Sequence, residues 1–263
     1  PNARSPSPSL RLRGGALVTE NQVAQVTSGV YFAGSIAGLV ASRKVMKMYG
    51  LETSPAEVNA FRMHNFGSLS MGIILLLMAS LGKSFRQGVG IASVYWFFWV
   101  LYQTFHKRGM CKKFNLPKSS ILPWSAFHLG IAFAAFFEHL EDFAPVIYTL
   151  FVVGLLNSAL TAFNTTKFLE LFAINVSQSP ASSILWRSQG LVGIGMAIFL
   201  MVYVQTKSVG TALVPFLAIQ TLNYAYAVAK QEWRAMKMPN GVGVLLYGLV
   251  YAGLTYAAFL STQ

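Results

Sequence analysis

Ser54-Pro55-Ala56, then Phe61-Arg62 and a long apolar run, recurs as Ser179-Pro180-Ala181, then Trp186-Arg187 and a second long apolar run. The two copies align without a gap at an offset of 125 residues, which also matches Met71 with Met196 and Ile73 with Ile198. A constant offset leading into the same change of hydropathy marks an internal repeat. In each copy the serine precedes a proline, which suits an N-cap followed by the first turn of a helix. Glu57, three residues after Ser54, completes a capping box in the first copy. The second copy has Ser182 at that place.

The composition around these copies decides the class. Of the 263 residues, 54% are hydrophobic and 11% charged, against about a quarter charged in soluble domains. Runs of membrane length without charge, such as Gly72 to Leu81 and its flanks, do not alternate, so they read as helices and not as barrel strands. Eight spans are expected: 25–46, 61–81, 89–105, 121–140, 144–168, 186–204, 211–228 and 242–260. The fold class is therefore all-α, a polytopic membrane protein with eight transmembrane helices as two parallel four-helix repeats. The domains read as a basic N-terminal tail over 1–25, one repeat over 26–142 and another over 143–263.

The net charge of +12 does not call for nucleic acid. Of the 20 Lys and Arg, 14 lie in or beside the first, third, fifth and seventh loops, and 6 lie with the termini and the remaining loops. The positive-inside rule puts the first set in cytosol, stroma or matrix and both termini on the other side. The tail holds Arg4, Arg11, Arg13, Pro1, Pro6, Pro8 and several serines, with Glu20 as its one acid. That composition suits the end of a processed organelle-import segment. Leu10-Arg11-Leu12-Arg13-Gly14-Gly15-Ala16 resembles the region near the mature N-terminus of plastid proteins in red-lineage algae.

No catalytic or metal motif accompanies the repeat. Carboxylates are absent from the span interiors, and there is no His-Glu-x-x-His. Cys111, the single cysteine, stands beside Lys112 and Lys113, which would lower its pKa. The histidines are His64, His106, His128 and His139, all in the first half. They do not make the facing pairs that two haems across a membrane need. His64 aligns with Gln189, and both side chains can ligate a chlorophyll magnesium; His128 lies at membrane depth, where an ionisable residue is a functional candidate. His64, His128 and Gln189 are thus the candidate chlorophyll ligands, each set against an ordinary interhelical hydrogen bond. Arg62 and Arg187 read either as anion sites, as fixed ion pairs or as interfacial cations. A polar stripe, Gly154, Asn157, Ser158, Thr161, Asn164 and Thr165, shares one face of the fifth span, and Gln220, Thr221 and Asn223 of the seventh could face it. Trp124, Trp186 and Trp233 read as an interfacial belt. Gly34 and Gly38 have the spacing for close helix approach.

The aromatic-Arg start followed by a Gly- and Met-rich helix (Phe66 to Ile73; Leu191 to Ile198) resembles the four-helix membrane proteins of the DoxX-like group, here duplicated. That resemblance implies a fold and no site residues. Glu57 with Arg62 superficially resembles the Glu-Arg motif of light-harvesting antennae, but Ala60 stands where the antenna pattern has Asn or His. The expected function is a non-catalytic accessory subunit, not an enzyme, in an organellar membrane complex. A photosystem- or antenna-associated scaffold in an algal thylakoid is the first setting and the mitochondrial inner membrane the alternative. Chlorophyll, carotenoid and lipids are the expected cofactors, and other membrane subunits and lipid the expected partners, with no nucleic acid. A small-solute transporter using the polar faces of the fifth and seventh helices is the alternative function. In sealed native vesicles, protease should reach the loop around Lys112 and the N-terminal tail from opposite sides; cleavage of both from one side would refute the topology.

Overall fold

The computed structural model describes residues 18–51, 53–137, 142–172 and 179–263. Most of the tail, and His139 with its neighbours Glu138 and Glu141, lie outside these. The described residues are helical. The chain runs α1 (Glu20–Val40), α2 (Ser42–Met48), α3 (Pro55–Ala79), α4 (Phe85–Phe105), α5 (Met110–Lys113) and α6 (Leu122–Phe136). It continues with α7 (Ala144–Phe163), α8 (Thr165–Leu171), α9 (Pro180–Thr206), α10 (Val209–Ala229), α11 (Glu232–Ala235) and α12 (Val242–Ser261). Each half therefore has the order long, short, long, long, short, long. Seven stretches are long and apolar enough to cross a membrane. The helix α4, 21 residues long, is not among the seven; its Trp and Tyr side chains lower its hydropathy. Large apolar side chains face outward, among them Phe98, Phe133, Leu156 and Leu222, as lipid contact requires.

Local chemistry sets the ends. The Ser54 side chain accepts from the Glu57 amide while the Glu57 carboxylate accepts from the Ser54 amide at 3.2 Å, so the expected capping box forms. Ser179 caps α9, and Thr19 with Gln22 starts α1 at Glu20, inside the stretch assigned to the tail. The first span is also shorter than expected, breaking at Ala41 before the separate α2. The fifth breaks at Asn164, whose side chain caps α8.

The helices α3 and α9 lie side by side at the centre. Each pairs with the long helix before it, α1 or α7, and with the one after it, α4 or α10; α6 and α12 pack outside α4 and α10. Small residues permit the close crossings. A side chain at Gly190 would lie 2.4 Å from the Ala162 backbone nitrogen, and one at Gly38 would lie 2.3 Å from Asn65. Gly34, by contrast, has nothing within 4 Å, so only half of the expected glycine pair is used.

The ends are distinct. At one end Lys113 Nζ donates to the Pro55 carbonyl (3.1 Å), Ser179 Oγ to Glu57 (2.6 Å), and the hydroxyls of Tyr49 and Tyr247 meet at 3.1 Å. The Arg187 guanidinium grips both oxygens of Glu232 there and lies 4.8 Å from the Tyr226 ring centre. This gathers the first, third, fifth and seventh loops, the basic set. At the other end Gln25 donates to the Ala79 carbonyl (3.0 Å), Ser208 to Glu20 (2.7 Å), and Arg86 to the last carbonyls of α6.

The seams between the halves differ. On one side α1 packs against α10 and α12, and Tyr31 meets Phe216 at 5.5 Å and Tyr251 at 5.9 Å between ring centres. On the other side α7 has no comparable contact with α4 or α6. Gly190→Val should force α7 off α9 and lower thermal stability in detergent by about 1–3 kcal/mol, the usual cost of overpacking. Gly34→Val should be neutral by the same melt. Equal losses would contradict the close crossing.

Candidate ligand cavity

The open seam encloses a cavity of about 250 Å³. An apolar cavity of about 150 Å³ already accepts a benzene ring. The α4 wall is Ala92, Ser93, Trp96, Trp99 and Gln103, a single face at helical spacing. The α7 wall is Gly154, Asn157, Ser158 and Thr161; α9 supplies Trp186, Gln189 and Gly193; α6 supplies Trp124 and His128; Gly67 and Ser70 of α3 lie beneath. The lining is mostly apolar and aromatic with a few polar groups, the make-up of a small-molecule site.

His128 stacks on Trp96 with ring centres 5.2 Å apart and planes 13° from parallel. Its Nδ1 is buried without a hydrogen-bond partner. A neutral imidazole carries one donor and one acceptor nitrogen, so this ring retains bonding capacity at the cavity wall. Gln189 also lines the cavity but is engaged: with its amide nitrogen turned to α3 it donates to the carbonyls of Met63 (3.1 Å) and His64 (3.2 Å). A side chain at Gly67 would collide with it. The two repeat-equivalent residues, His64 and Gln189, therefore meet where α3 crosses α9, and the amide nitrogen of Gln189 is committed to the backbone. His64 is half-buried and outside the lining, with its own Nδ1 buried and unpartnered.

Two further expectations change. The α7 stripe does line the cavity as far as Thr161, but Asn164 caps α8 and the α10 residues do not face it. Gln220 donates to the Leu191 carbonyl, Asn223 to Ser188 Oγ (3.0 Å), and Thr221 meets Thr255 (3.1 Å). The side-chain donors of these α10 residues are directed at α9 and α12, while Asn223 Oδ1 is buried without a partner. Trp186, read as interfacial, is 3% exposed and packs on Phe168 in the core; with Trp124 it belongs to the cavity wall. Sequence reasoning also missed Trp96, Trp99 and Gln103. Counting each helix from its first residue puts Ala92 of α4 level with Phe216 of α10. That small-against-large contrast shows only once the helix starts are known, because the gapless offset of 125 pairs Phe216 with Ile91.

Among the described residues no three His, Cys, Asp or Glu side chains converge to hold a metal ion. Arg62 does not pair with Glu57; its Nε donates to Ser42 Oγ at 2.8 Å. Comparison of the chain with protein families, with curated proteins and with solved structures finds no match.

Cys111 is buried. Burial pushes its thiol pKa up, and the charge of Lys118 opposes this only in part; desolvation of the thiolate outweighs the basic neighbours read from the sequence. Alkylation of the native protein should therefore become fast only above the pH at which ordinary thiols react, whereas the denatured chain should react at the ordinary pH. Identical pH profiles would contradict the burial.

Proposed function

We propose that this chain is a non-catalytic integral membrane accessory subunit that holds a pigment of the chlorophyll or carotenoid kind in the α4/α6–α7/α9 cavity. The observation that carries the reading is the unequal treatment of the two seams. Tyr31, Phe216 and Tyr251 close one. The other keeps a cavity walled by Trp96, Trp99, Trp124 and Trp186, with an underused imidazole on it. A cavity this apolar would suit a ring that stacks on indoles, and the His128 imidazole would supply a nitrogen to hold its magnesium. His128 is the ligand of choice in this reading, Gln189 serves the helix crossing, and His64 is set apart from the cavity.

The wider setting belongs to the same proposal. The halves, with their common order of elements and their Ser-Pro-Ala entries, are read as a duplicated DoxX-like unit with eight spans in parallel orientation. The basic end faces the stroma, matrix or cytosol. The Arg- and Ser-rich tail supports an organelle, with the thylakoid and a photosystem partner as the first assignment. A transporter is the second reading, favoured by Asn157, Ser158 and Thr161 on the cavity wall. It is weakened by α10, which lines none of the cavity and directs its Gln220 and Asn223 donors at α9.

Protein purified from native membrane should carry a visible absorbance spectrum and co-migrate with a larger pigmented complex. His128→Leu should remove a chlorophyll while leaving the fold, and leave a carotenoid in place. A colourless protein that migrates alone, with solute uptake abolished by Asn157→Leu, would replace this reading with the transporter.

A further inference from the structure

The two Arg residues of the repeated entry have different surroundings. Arg187 is neutralised by Glu232 and lies against Tyr226. Arg62 has only the Ser42 hydroxyl, through its Nε. Neither Arg43, Arg62 nor Lys113 has a carboxylate partner among the described residues. Arg62 bonds Ser42, the chain neighbour of Arg43, and Lys113 Nζ bonds the Pro55 carbonyl at the start of the helix that carries Arg62, so the three cations gather at one end of α3. Burial first, then the charges of Arg62 and Arg43, push the pKa of Lys113 down. Mutual repulsion of this kind is relieved by an anion.

Arg62 also stands on the wall of a second space, an open groove of about 470 Å³ between α1, α3 and α4. Below the cation the groove is apolar: Ile36, Val40, Leu69, Phe98 and Tyr102 line it. Val40 and Phe98 are 82% and 62% exposed. Tyr95 lines it too, with a buried hydroxyl that has no hydrogen-bond partner. The groove thus offers positive charge at the basic end of the helices, an unused hydroxyl donor, and an apolar trough along their length.

We propose that this groove binds one anionic phospholipid. The phosphate lies among Arg62, Arg43 and Lys113, and a guanidinium fork matches its oxygens. An ester carbonyl gives the Tyr95 hydroxyl an acceptor. An acyl chain occupies the trough beside Phe98 and Val40. The second half does not form the equivalent site, because Glu232 already neutralises Arg187. The inference does not rest on the pigment reading: the two spaces share the Trp99 wall, but on α3 the groove is lined by Arg62, Phe66 and Leu69 and the cavity by Met63, Gly67 and Ser70.

The test is native mass spectrometry of the intact protein from mixed micelles of phosphatidylglycerol and phosphatidylcholine. The wild type should retain one phosphatidylglycerol in preference to phosphatidylcholine. Arg43→Gln, at an exposed position that cannot disturb the core, should weaken retention about fivefold, the effect of one cation near an anionic headgroup. Arg62→Gln should weaken it at least as much, and Lys230→Gln, on the same face but away from the groove, should not. Added salt should lower the preference, and inorganic phosphate alone should compete only in large excess because it cannot use the trough. Equal retention of the two lipids, equal loss in Lys230→Gln, or displacement by phosphate at matching concentration would overturn the proposal.

Discussion

One buried carboxylate ties together the two helices on which the rest of the molecule packs. Glu57, 1% exposed, accepts from the Ser54 amide with one oxygen and from Ser179 Oγ with the other. Ser54 and Ser179 are the N-caps of α3 and α9, so negative charge sits where two helix N-termini converge, the favourable end of each dipole. In the first copy the box is internal; in the second, which lacks a Glu, the same carboxylate reaches across to serve the cap. Gln189 repeats the linkage two turns deeper by bonding the α3 backbone beside Gly67. With no water to satisfy polar groups in hydrocarbon, such side-chain bridges and small-residue crossings hold membrane helices in register.

Given that central pair, the outer helices have two seams to fill, and they fill them differently. Bulk at Phe216, Tyr251 and Tyr31 closes one seam. Ala92, at the place of Phe216, leaves room in the other, and the small faces of Gly190 and Gly193 let Ser158 of α7 settle on α9 instead of reaching toward α4. The charges diverge in the same manner. Glu232 turns Arg187 into a structural pair, whereas the corresponding basic loop of the first half holds Lys112 and Lys113 and leaves Arg62 available. A common layout thus carries one closed and one open seam between the halves, and one neutralised and one available arginine.

Much of this was legible in the chain. The Ser54 cap and Glu57 box follow from local spacing alone, and hydropathy located the long helices, though it began α3 and α9 six residues late and ran the first span six residues past Val40. The entry of α9 at Pro180 was legible from the repeat and yet the span was drawn from Trp186, because hydropathy ignores the polar first turns that caps stabilise. What the sequence could not carry was the partner of each polar side chain. Gln220 and Asn223 read as facing α7, but α9 lies between; Trp186 read as interfacial because an indole at a span end suits both lipid and core. The lysines beside Cys111 pointed to a lowered thiol pKa, and burial, which is not a local property, reverses that direction. The cavity was invisible for the same reason: it arises from what α7 fails to touch.

The measurement that bears most directly on this account is an experimental density map of the protein purified from its native membrane. The account predicts a flat or elongated non-protein density between Trp96 and the α7 stripe, with an edge or a central atom against the His128 imidazole. A seam closed by α7 packing directly on α4, with Trp96 turned into the space and no foreign density beside His128, would contradict it.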